Sequence, residues 1–256
     1  MRELLAAGRR AVGEVWIAEE QDPSSYLDEI ERLARRRKAK VLVVARRRLE
    51  GAARTDSPQG VLARAEPLPE ASLEELCAPS GGVVPFLVVL DGVTDPHNLG
   101  AVLRSAECAG VTGVVLPRHR AVHVTPTVTK VAAGAVEHLP IAVVPGVPSA
   151  LARLAALGVH AVGLDAAAQR SLYELGPEAF GPVALVLGAE GRGLAPLSRR
   201  RCAELVAIPQ HGRLASLNVA AAAAVACFEL AHRRSSARPQ TRDGPRRTSH
   251  DGRPAG

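Results

Sequence analysis

The sequence predicts an α/β protein built on a parallel sheet. From residue 86 onward, short apolar runs alternate with helical stretches: FLVVL, GVVLP, IAVVP, HAVGLD, VALVLG and LVAIP. Such alternation forms βαβ units, with parallel strands and with helices on both faces of the sheet. Three of these strands also run into polar loops rich in turn-forming residues. Because open α/β sheets bind ligands beyond the carboxyl ends of their strands, a ligand site is expected there.

Residues 1–70 predict a smaller α/β unit. It contains the strands EVWIA and KVLVVA, and a helix from Ser24 to about Arg36 lies between these strands. Ser25 and Asp28 resemble a capping pair for that helix. The segment SPQGVLARAEP completes the unit, and residues 71–85, ASLEELCAPSGGVVP, form a linker with one short helical turn.

The first strand-to-loop junction is LDGVTDPHNLGAVLRSAECAG, residues 90–110. The strand runs into Asp91, and a helix is expected to open near Asn98. Apolar residues at helical spacing line one face of this helix, which places Arg104 on the side away from the core. Asn98 is interpreted either as a cap of the helix or as a ligand-binding residue.

The other two junctions are ALVLGAEGRGLAP, residues 184–196, and AIPQHGRLASLNVAAAAAVACFEL, residues 207–230. In the former, Glu190 stands between Gly188 and Gly191, where the backbone can approach a ligand closely. In the latter, a tight loop precedes an Ala-rich helix, and Ser216 is predicted to cap it. This helix is apolar on nearly all faces and should therefore be buried, in part against a partner.

Several site classes are excluded. No strand is followed by G-x-G-x-x-G, and no G-K-[ST] is present, which argues against the common nucleotide-binding motifs. The four cysteines lack C-x-x-C spacing, two of them lie in apolar helix patterns, and no metal is expected. No apolar run is long enough to span a bilayer, and Arg2 and Glu3 argue against a signal peptide, so a cytoplasmic protein is expected.

Together, the three junctions resemble the SpoU/TrmH class of the SPOUT superfamily, the S-adenosylmethionine-dependent RNA ribose 2′-O-methyltransferases. The resemblance extends from Phe86 to Arg233. Residues 130–141, KVAAGAVEHLPI, resemble the helix before a middle strand in that class. Departures are Gln210 in place of methionine and Ala132 in place of serine. The segment MRELLAAGRRAVGEVWIAE resembles the first helix and second strand of the class, and the opening strand is missing, which suggests a start farther upstream or a trimmed domain.

This resemblance implies an N-terminal RNA substrate-binding domain (1–70) and a C-terminal methyltransferase domain (86–232) with a trefoil knot. It further implies a homodimer whose sites take residues from both chains. S-adenosyl-L-methionine is the implied cofactor. Three positions, largely through their backbone, are implied to bind it: Gly188, Ile208 and Leu217.

The implied catalytic residues are Arg104, Asn98, Glu190, Ser216 and Asn218. Arg104 corresponds to the arginine to which the class assigns proton abstraction or the organisation of the hydroxyl and its phosphate. Because a free guanidinium stays protonated, orientation and charge stabilisation are the preferred role. Asn98 is implied to hold the ribose or Arg104, Glu190 to fix its loop or pair with an arginine, and Ser216 and Asn218 to complete the site.

The net charge of +6 is concentrated at the C-terminus, where residues 233–256 carry seven arginines and two aspartates. This tail lacks apolar periodicity and is predicted to be disordered. Two interpretations remain open, namely an electrostatic tether for RNA phosphates and a solvated, dispensable extension. A second basic cluster, residues 35–38, 40 and 46–48, is partly explained by the favourable placement of cations at a helix C-terminus.

Three functions are compatible with the sequence. The first is methylation of a guanosine ribose in 23S ribosomal RNA, because within its class the chain resembles the bacterial enzymes with this activity. The second is the same chemistry on transfer RNA or on an antibiotic-site nucleotide of ribosomal RNA. The third is a non-catalytic RNA-binding or ribosome-assembly protein. Aromatic residues make up only 2% of the chain, which disfavours recognition by base stacking.

Overall fold

A computed structural model describes residues 1–19, 21–22, 24–53, 58–78, 82–214 and 216–237. Its strands form two sheets, one of three strands in the N-terminal region and one of six strands in the C-terminal region. No helix in these described ranges is both long enough and apolar enough to cross a membrane.

The N-terminal unit has the sheet order β2-β1-β3. Its elements are α1 (Arg2–Ala7), β1 (Val12–Ala18), α2 (Ser25–Arg36), β2 (Lys40–Val44), α3 (Arg46–Ala52) and β3 (Val61–Ala65). Strand β1 pairs parallel to β2 and antiparallel to β3. The capping prediction for α2 was wrong by one residue, because the side chain of Ser24 accepts the hydrogen bond from Leu27 N. Helix α3 was not predicted.

The linker contains the expected helical turn, α4 (Leu73–Cys77). Ser72 and Glu75 form a reciprocal capping box at its start, in which each side chain accepts from the backbone amide of the other residue.

The C-terminal unit contains all six predicted strands, and every pair in its sheet is parallel. The order is β6-β5-β4-β8-β7-β9. The strands are β4 (Phe86–Asp91), β5 (Gly113–Pro117), β6 (Ile141–Val144), β7 (His160–Leu164), β8 (Val183–Gly188) and β9 (Glu204–Val206). The α/β prediction is therefore confirmed. The trefoil knot stays a prediction.

Helices cover both faces of this sheet, as expected. They are α5 (Pro96–Cys108), α6 (Pro126–Val131), α7 (Val147–Ala156), α8 (Pro196–Arg201) and α9 (Val219–Ala237). Alternate residues of β4 point to opposite faces. Val88 and Leu90 pack in the core under α5 and α9, whereas Leu87 and Val89 pack in the core under α7. This burial on both faces explains the continuous apolar run of the strand.

The segment 130–141 differs from its prediction. Helix α6 ends at Val131, the backbone takes positive φ at Ala133 and Gly134, and a short 3₁₀ turn follows at Ala135–Glu137. The strand after it, β6, is an edge strand and not a middle strand.

The tail prediction needs a correction at its start. Helix α9 continues to Ala237, so residues 233–237 are helical. Arg233 donates to the carbonyls of Tyr173 and Leu175, and Arg234 donates to those of Phe180 and Val84. These two arginines therefore fasten the end of α9 to the domain. Residues 238–256 lie outside the described residues.

Candidate active site

Strands β4 and β8 are neighbours, and their last residues, Asp91 and Gly188, are in register. The loops that follow them therefore start side by side. Asp91 Oδ2 accepts from Ala195 N at 2.9 Å, which ties the end of β4 to the loop after β8. A Cβ atom on Gly188 would lie 2.1 Å from the carbonyl carbon of Gly193. Only glycine fits there, because this loop folds back onto its own start.

Three residues predicted to be catalytic form one hydrogen-bonded network. Asn98 Nδ2 donates to Glu190 Oε2 at 3.0 Å. Asn218 Nδ2 donates to Asn98 Oδ1 at 2.9 Å and approaches Glu190 Oε1 at 3.3 Å. Each of the three strand-to-loop junctions thus contributes one side chain. The carboxylate of Glu190 fixes the orientation of both amides, since it accepts only from their NH₂ groups.

Asn98 is held in place by the start of α5. This helix begins at Pro96, and the side chain of Asp95 accepts from the backbone amides of His97 and Asn98. Asp95 is therefore the cap, and the interpretation of Asn98 as a cap was wrong. The sequence did contain the signal, because Asp followed by Pro marks the first turn of many helices.

Gly100 sets the packing of α5 against α6. A Cβ atom at this position would lie 2.6 Å from the Val131 side chain and 3.0 Å from the Val128 carbonyl oxygen. The glycine that follows Asn98 and Leu99 in the motif is thus required by helix contact.

Asn218 caps α9. Its Oδ1 accepts from Ala220 N at 2.9 Å and from Ala221 N at 3.4 Å. The prediction that Ser216 caps this helix was therefore wrong. Ser216 is exposed in the loop before the helix and does not join the network of Asn98, Glu190 and Asn218.

Arg104 lies on the exposed side of α5, as predicted. It follows Asn98 by six residues, which in an α-helix gives about 9 Å of rise and about 240° of rotation. Arg104 therefore lies on a different face of α5 from Asn98, nearly two turns farther along the helix. No described residue forms a hydrogen bond or ion pair with it. The single chain does not bring Arg104 together with Asn98, Glu190 and Asn218.

The predicted cofactor-binding positions lie around the same edge of the sheet. Gly188 ends β8, Ile208 is half-buried against the core, and Leu217 is 40% exposed. The Ile208 carbonyl accepts from Gln210 Nε2 at 3.0 Å, which holds the loop compact. Nearby Leu214 is 81% exposed, while Gly191 and Gly193 take positive φ with open space beside them. Apolar side chains next to accessible backbone suit an adenosine cofactor.

The described residues do not form a metal centre. Among the described residues, no group of three or more His, Cys, Asp or Glu side chains is placed to hold a metal ion. Burial raises the pKa of Cys202 to about 11 and that of Cys227 to about 12, so neither thiol is a reactive nucleophile at neutral pH. Cys108 is exposed.

Comparison with known families matches both parts of the chain. Residues 85–228 match the model of the SpoU rRNA Methylase family, and residues 1–71 match a model described as RNA 2'-O ribose methyltransferase substrate binding. The chain belongs to the SpoU rRNA methylase family. The prediction of the family and of an RNA 2′-O-ribose methyltransferase is confirmed, and a non-catalytic function is set aside.

Two relatives show how far the similarity to this SpoU member extends. A 23S rRNA (guanosine-2'-O-)-methyltransferase RlmB of Shewanella oneidensis is 39% identical over 91% of this chain and 94% of its own. The protein of the same name from Ralstonia nicotianae is 47% identical over 73% of this chain and 75% of its own.

Solved SpoU structures share the fold. The methyltransferase AviRb from Streptomyces viridochromogenes, in complex with the cofactor AdoMet, superposes with a TM-score of 0.77 at 25% identity, over 93% of this chain and 89% of AviRb. A structure described as RNA 2'-O ribose methyltransferase gives a TM-score of 0.72 at 28% identity, over 92% of this chain and 85% of the other.

Proposed function

We propose that this SpoU methylase transfers a methyl group to the ribose 2′-hydroxyl of a guanosine in 23S ribosomal RNA. The observation that carries the proposal is the network of Asn98, Glu190 and Asn218, in which all three family motifs meet. The choice of nucleotide is supported by the relatives from Shewanella and Ralstonia, whose names specify this reaction. With such a substrate, we propose that the protein acts in the cytoplasm.

S-adenosyl-L-methionine is the cofactor and, when bound, supplies the activated methyl group. We infer that Gly188, Ile208 and Leu217, at the carboxyl edge of the sheet, would hold it. The remaining task of the protein is alignment, which contributes up to about 7–11 kcal/mol to such a two-reactant transfer.

The polar network prepares a fixed surface for the ribose. Glu190 accepts from Asn98 and Asn218, so the amide groups are already oriented before RNA arrives. Groups that are oriented in advance avoid reorganisation during the reaction. Arg104 orients the 2′-hydroxyl and the adjacent phosphate and stabilises the charge that develops on oxygen as the proton leaves. Ser216, exposed in the cofactor loop, completes the site from the side of α9.

We infer that the working enzyme is a homodimer that joins Arg104 of one chain to the network of the other. On α5 the exposed or half-exposed positions His97, Ala101, Arg104 and Cys108 form a stripe at helical spacing. The neighbouring α9 presents the stripe Ala221, Val225, Phe228 and His232, and Phe228 is 51% exposed. A partly apolar surface of this kind is typical of subunit contacts.

The direct test of the target is to map 2′-O-methylation in RNA from cells with and without the gene. We expect one guanosine of 23S ribosomal RNA to lose its methyl group, and a copy carrying Arg104→Ala not to restore it. If the lost mark lies in transfer RNA, or if no mark in 23S RNA changes, the proposed target is wrong.

A further inference from the structure

The most deeply buried charge among the described residues lies outside the network of Asn98, Glu190 and Asn218. Glu137 is 1% exposed, and together with Ser198 it makes up the buried polar residues of the described chain. Its carboxylate is paired with the guanidinium of Arg10, which comes from the N-terminal unit. The pairing is bidentate, since Arg10 Nη2 bonds Oε1 and Arg10 Nε bonds Oε2 at 3.2 Å. A buried charge needs this kind of partner to be tolerated.

Further contacts surround this pair and form a seam between the two units. Arg9 Nη1 donates to the Leu139 carbonyl at 3.0 Å, and Arg10 Nη1 donates to the Glu66 carbonyl at 2.9 Å. His138 Nε2 lies 2.8 Å from Glu3 Oε2, and this hydrogen bond holds the pKa of Glu3 below its ordinary value.

Backbone contacts close the seam. Ala71 N donates to the Ile141 carbonyl at 2.9 Å, so the chain leaving the N-terminal unit extends the edge strand β6. At Gly134, φ is +94° and an added Cβ atom would lie 2.5 Å from Glu3 Cβ. Here α1 is in contact with the turn after α6. The two units are therefore joined by packing, by backbone pairing and by charge, and not by the linker alone.

The seam borders a cleft of about 1220 Å³ between the two units. Arg10 and Glu137 line this cleft together with β3 of the N-terminal unit. At the other end it is lined by His123, Val124 and Thr125, in the loop that joins β5 to α6. That loop contacts the loop between β4 and α5 directly, because Val122 N donates to the Val93 carbonyl at 3.0 Å. The loop that lines the cleft is therefore also joined to the loop that leads into α5 and Asn98.

We propose that the Arg10–Glu137 pair is a positioning device that fixes the distance between the N-terminal unit and the catalytic site, so that only RNA spanning this distance is methylated efficiently. This inference rests on the proposed function, with residues 1–70 holding RNA. Arg10 and Glu137 touch neither the cofactor site nor the network of Asn98, Glu190 and Asn218. They act through the placement of one domain relative to the other.

The test compares two RNAs. One is a ribosomal-RNA fragment long enough to reach both units, and the other is a short hairpin containing only the target guanosine and its neighbours. In Glu137→Gln the shape is kept and the charge is lost. We expect kcat/KM on the long fragment to fall at least ~10-fold, because small errors of placement reduce transfer strongly. Transfer to the short hairpin and calorimetric S-adenosylmethionine affinity should change less than ~2-fold, since neither depends on domain placement.

Further variants guard against a simple loss of folding. Arg9→Ala removes contacts made by a half-exposed side chain. It should lower kcat/KM on the long fragment less than Glu137→Gln does and should also leave transfer to the short hairpin unchanged. Arg10→Met removes the charge and should lower kcat/KM on the long fragment. Arg10→Lys keeps the charge and should retain part of the activity that Arg10→Met loses. Glu74→Gln breaks the exposed ion pair with Arg153, outside the seam, and is the matched control that should leave both substrates unaffected.

An RNA-independent measurement separates this proposal from the proposed function. Hydrogen exchange at the Ala71 amide, which bonds Ile141, should be faster in Glu137→Gln than in the wild type and unchanged in Glu74→Gln. The positioning role would be overturned if kcat/KM fell equally on both RNAs. It would also be overturned if exchange at the Ala71 amide became faster while kcat/KM on the long fragment stayed the same. If the wild type methylates neither RNA, the proposed function fails, while the exchange result still decides whether the pair fixes the domains.

Discussion

Asn218 Nδ2 lies 2.9 Å from Asn98 Oδ1, and this hydrogen bond joins the start of α9 to the first turn of α5 across 120 positions of sequence. The other end of the same amide caps α9, because Oδ1 accepts from Ala220 N and Ala221 N. One side chain therefore begins a helix and organises the catalytic network. These two roles can be separated by substitution.

Asn218→Ser should separate them. A serine hydroxyl caps a helix well but is too short to reach Asn98 and Glu190. We expect the free energy of unfolding to stay close to that of the wild type and methyl transfer to fall about 100-fold, as for the loss of one positioned donor. Asn218→Ala should lose the same activity and about 1 kcal/mol of stability in addition. Urea unfolding and single-turnover methylation measure the two effects. Full activity in Asn218→Ser would show that the network is not needed.

Substitutions at Arg104 and Leu217 should affect different steps. Arg104→Ala should reduce methyl transfer at least ~100-fold with little change in S-adenosylmethionine affinity, because its guanidinium acts on the RNA. Leu217→Pro should instead weaken cofactor binding, since proline distorts the backbone of the loop that lines that site. Calorimetry and single-turnover methylation distinguish the two. An Arg104→Ala protein that loses cofactor binding would contradict this assignment.

Two deletions of the C-terminal tail should differ. Removing residues 238–256 takes away five arginines and two aspartates. We expect folding to be unaffected and the slope of log affinity for RNA against log salt to shrink, because fewer counterions are released. Removing residues 233–256 should also lower the melting temperature, since Arg233 and Arg234 bond the carbonyls of Tyr173 and Phe180. An unchanged slope would leave the tail as a passive extension.

Stability should fall at high pH because of Cys227. Burial raises the pKa of this thiol to about 12 in the folded protein, above its ordinary value of 9.0. Between these pH values the unfolded chain releases the proton and the folded chain keeps it, so rising pH favours unfolding. From pH 8 to pH 10.5, the decrease in the free energy of unfolding should be about 2 kcal/mol smaller in Cys227→Ala than in the wild type. Urea unfolding at both pH values checks this, and equal losses would show that the thiol is accessible.

The parallel sheet and the meeting of Asn98 and Glu190 could be foreseen, because both depend on local pattern. Apolar runs identify the strands, and parallel strands that are neighbours bring their carboxyl-terminal loops together. Helix boundaries were less certain, since several polar residues near each start compete to be the cap. Asp95 and Asn218 took this role, and not Asn98 or Ser216.

Features that depend on distant contacts were not foreseen. Arg10 and Glu137 are 127 positions apart, and nothing in either local sequence identifies them as partners. Cys108 is exposed, because it lies on the same stripe of α5 as Arg104 and not on the apolar face. The separation of Arg104 from the network likewise follows from helix geometry, and family resemblance alone placed these residues in one site.

Mixing two inactive variants, Arg104→Ala and Asn98→Ala, tests the shared active site most directly. If each site combines Arg104 of one chain with Asn98 of the other, a mixed dimer has one site with both residues intact. After unfolding and refolding together, the mixture should regain about a quarter of wild-type methylation, the share expected for random pairing of two subunits. Adding Phe228→Glu to both chains should give monomers in sedimentation and abolish the recovery. A mixture that stays inactive while it forms mixed dimers would contradict an active site shared between the two chains.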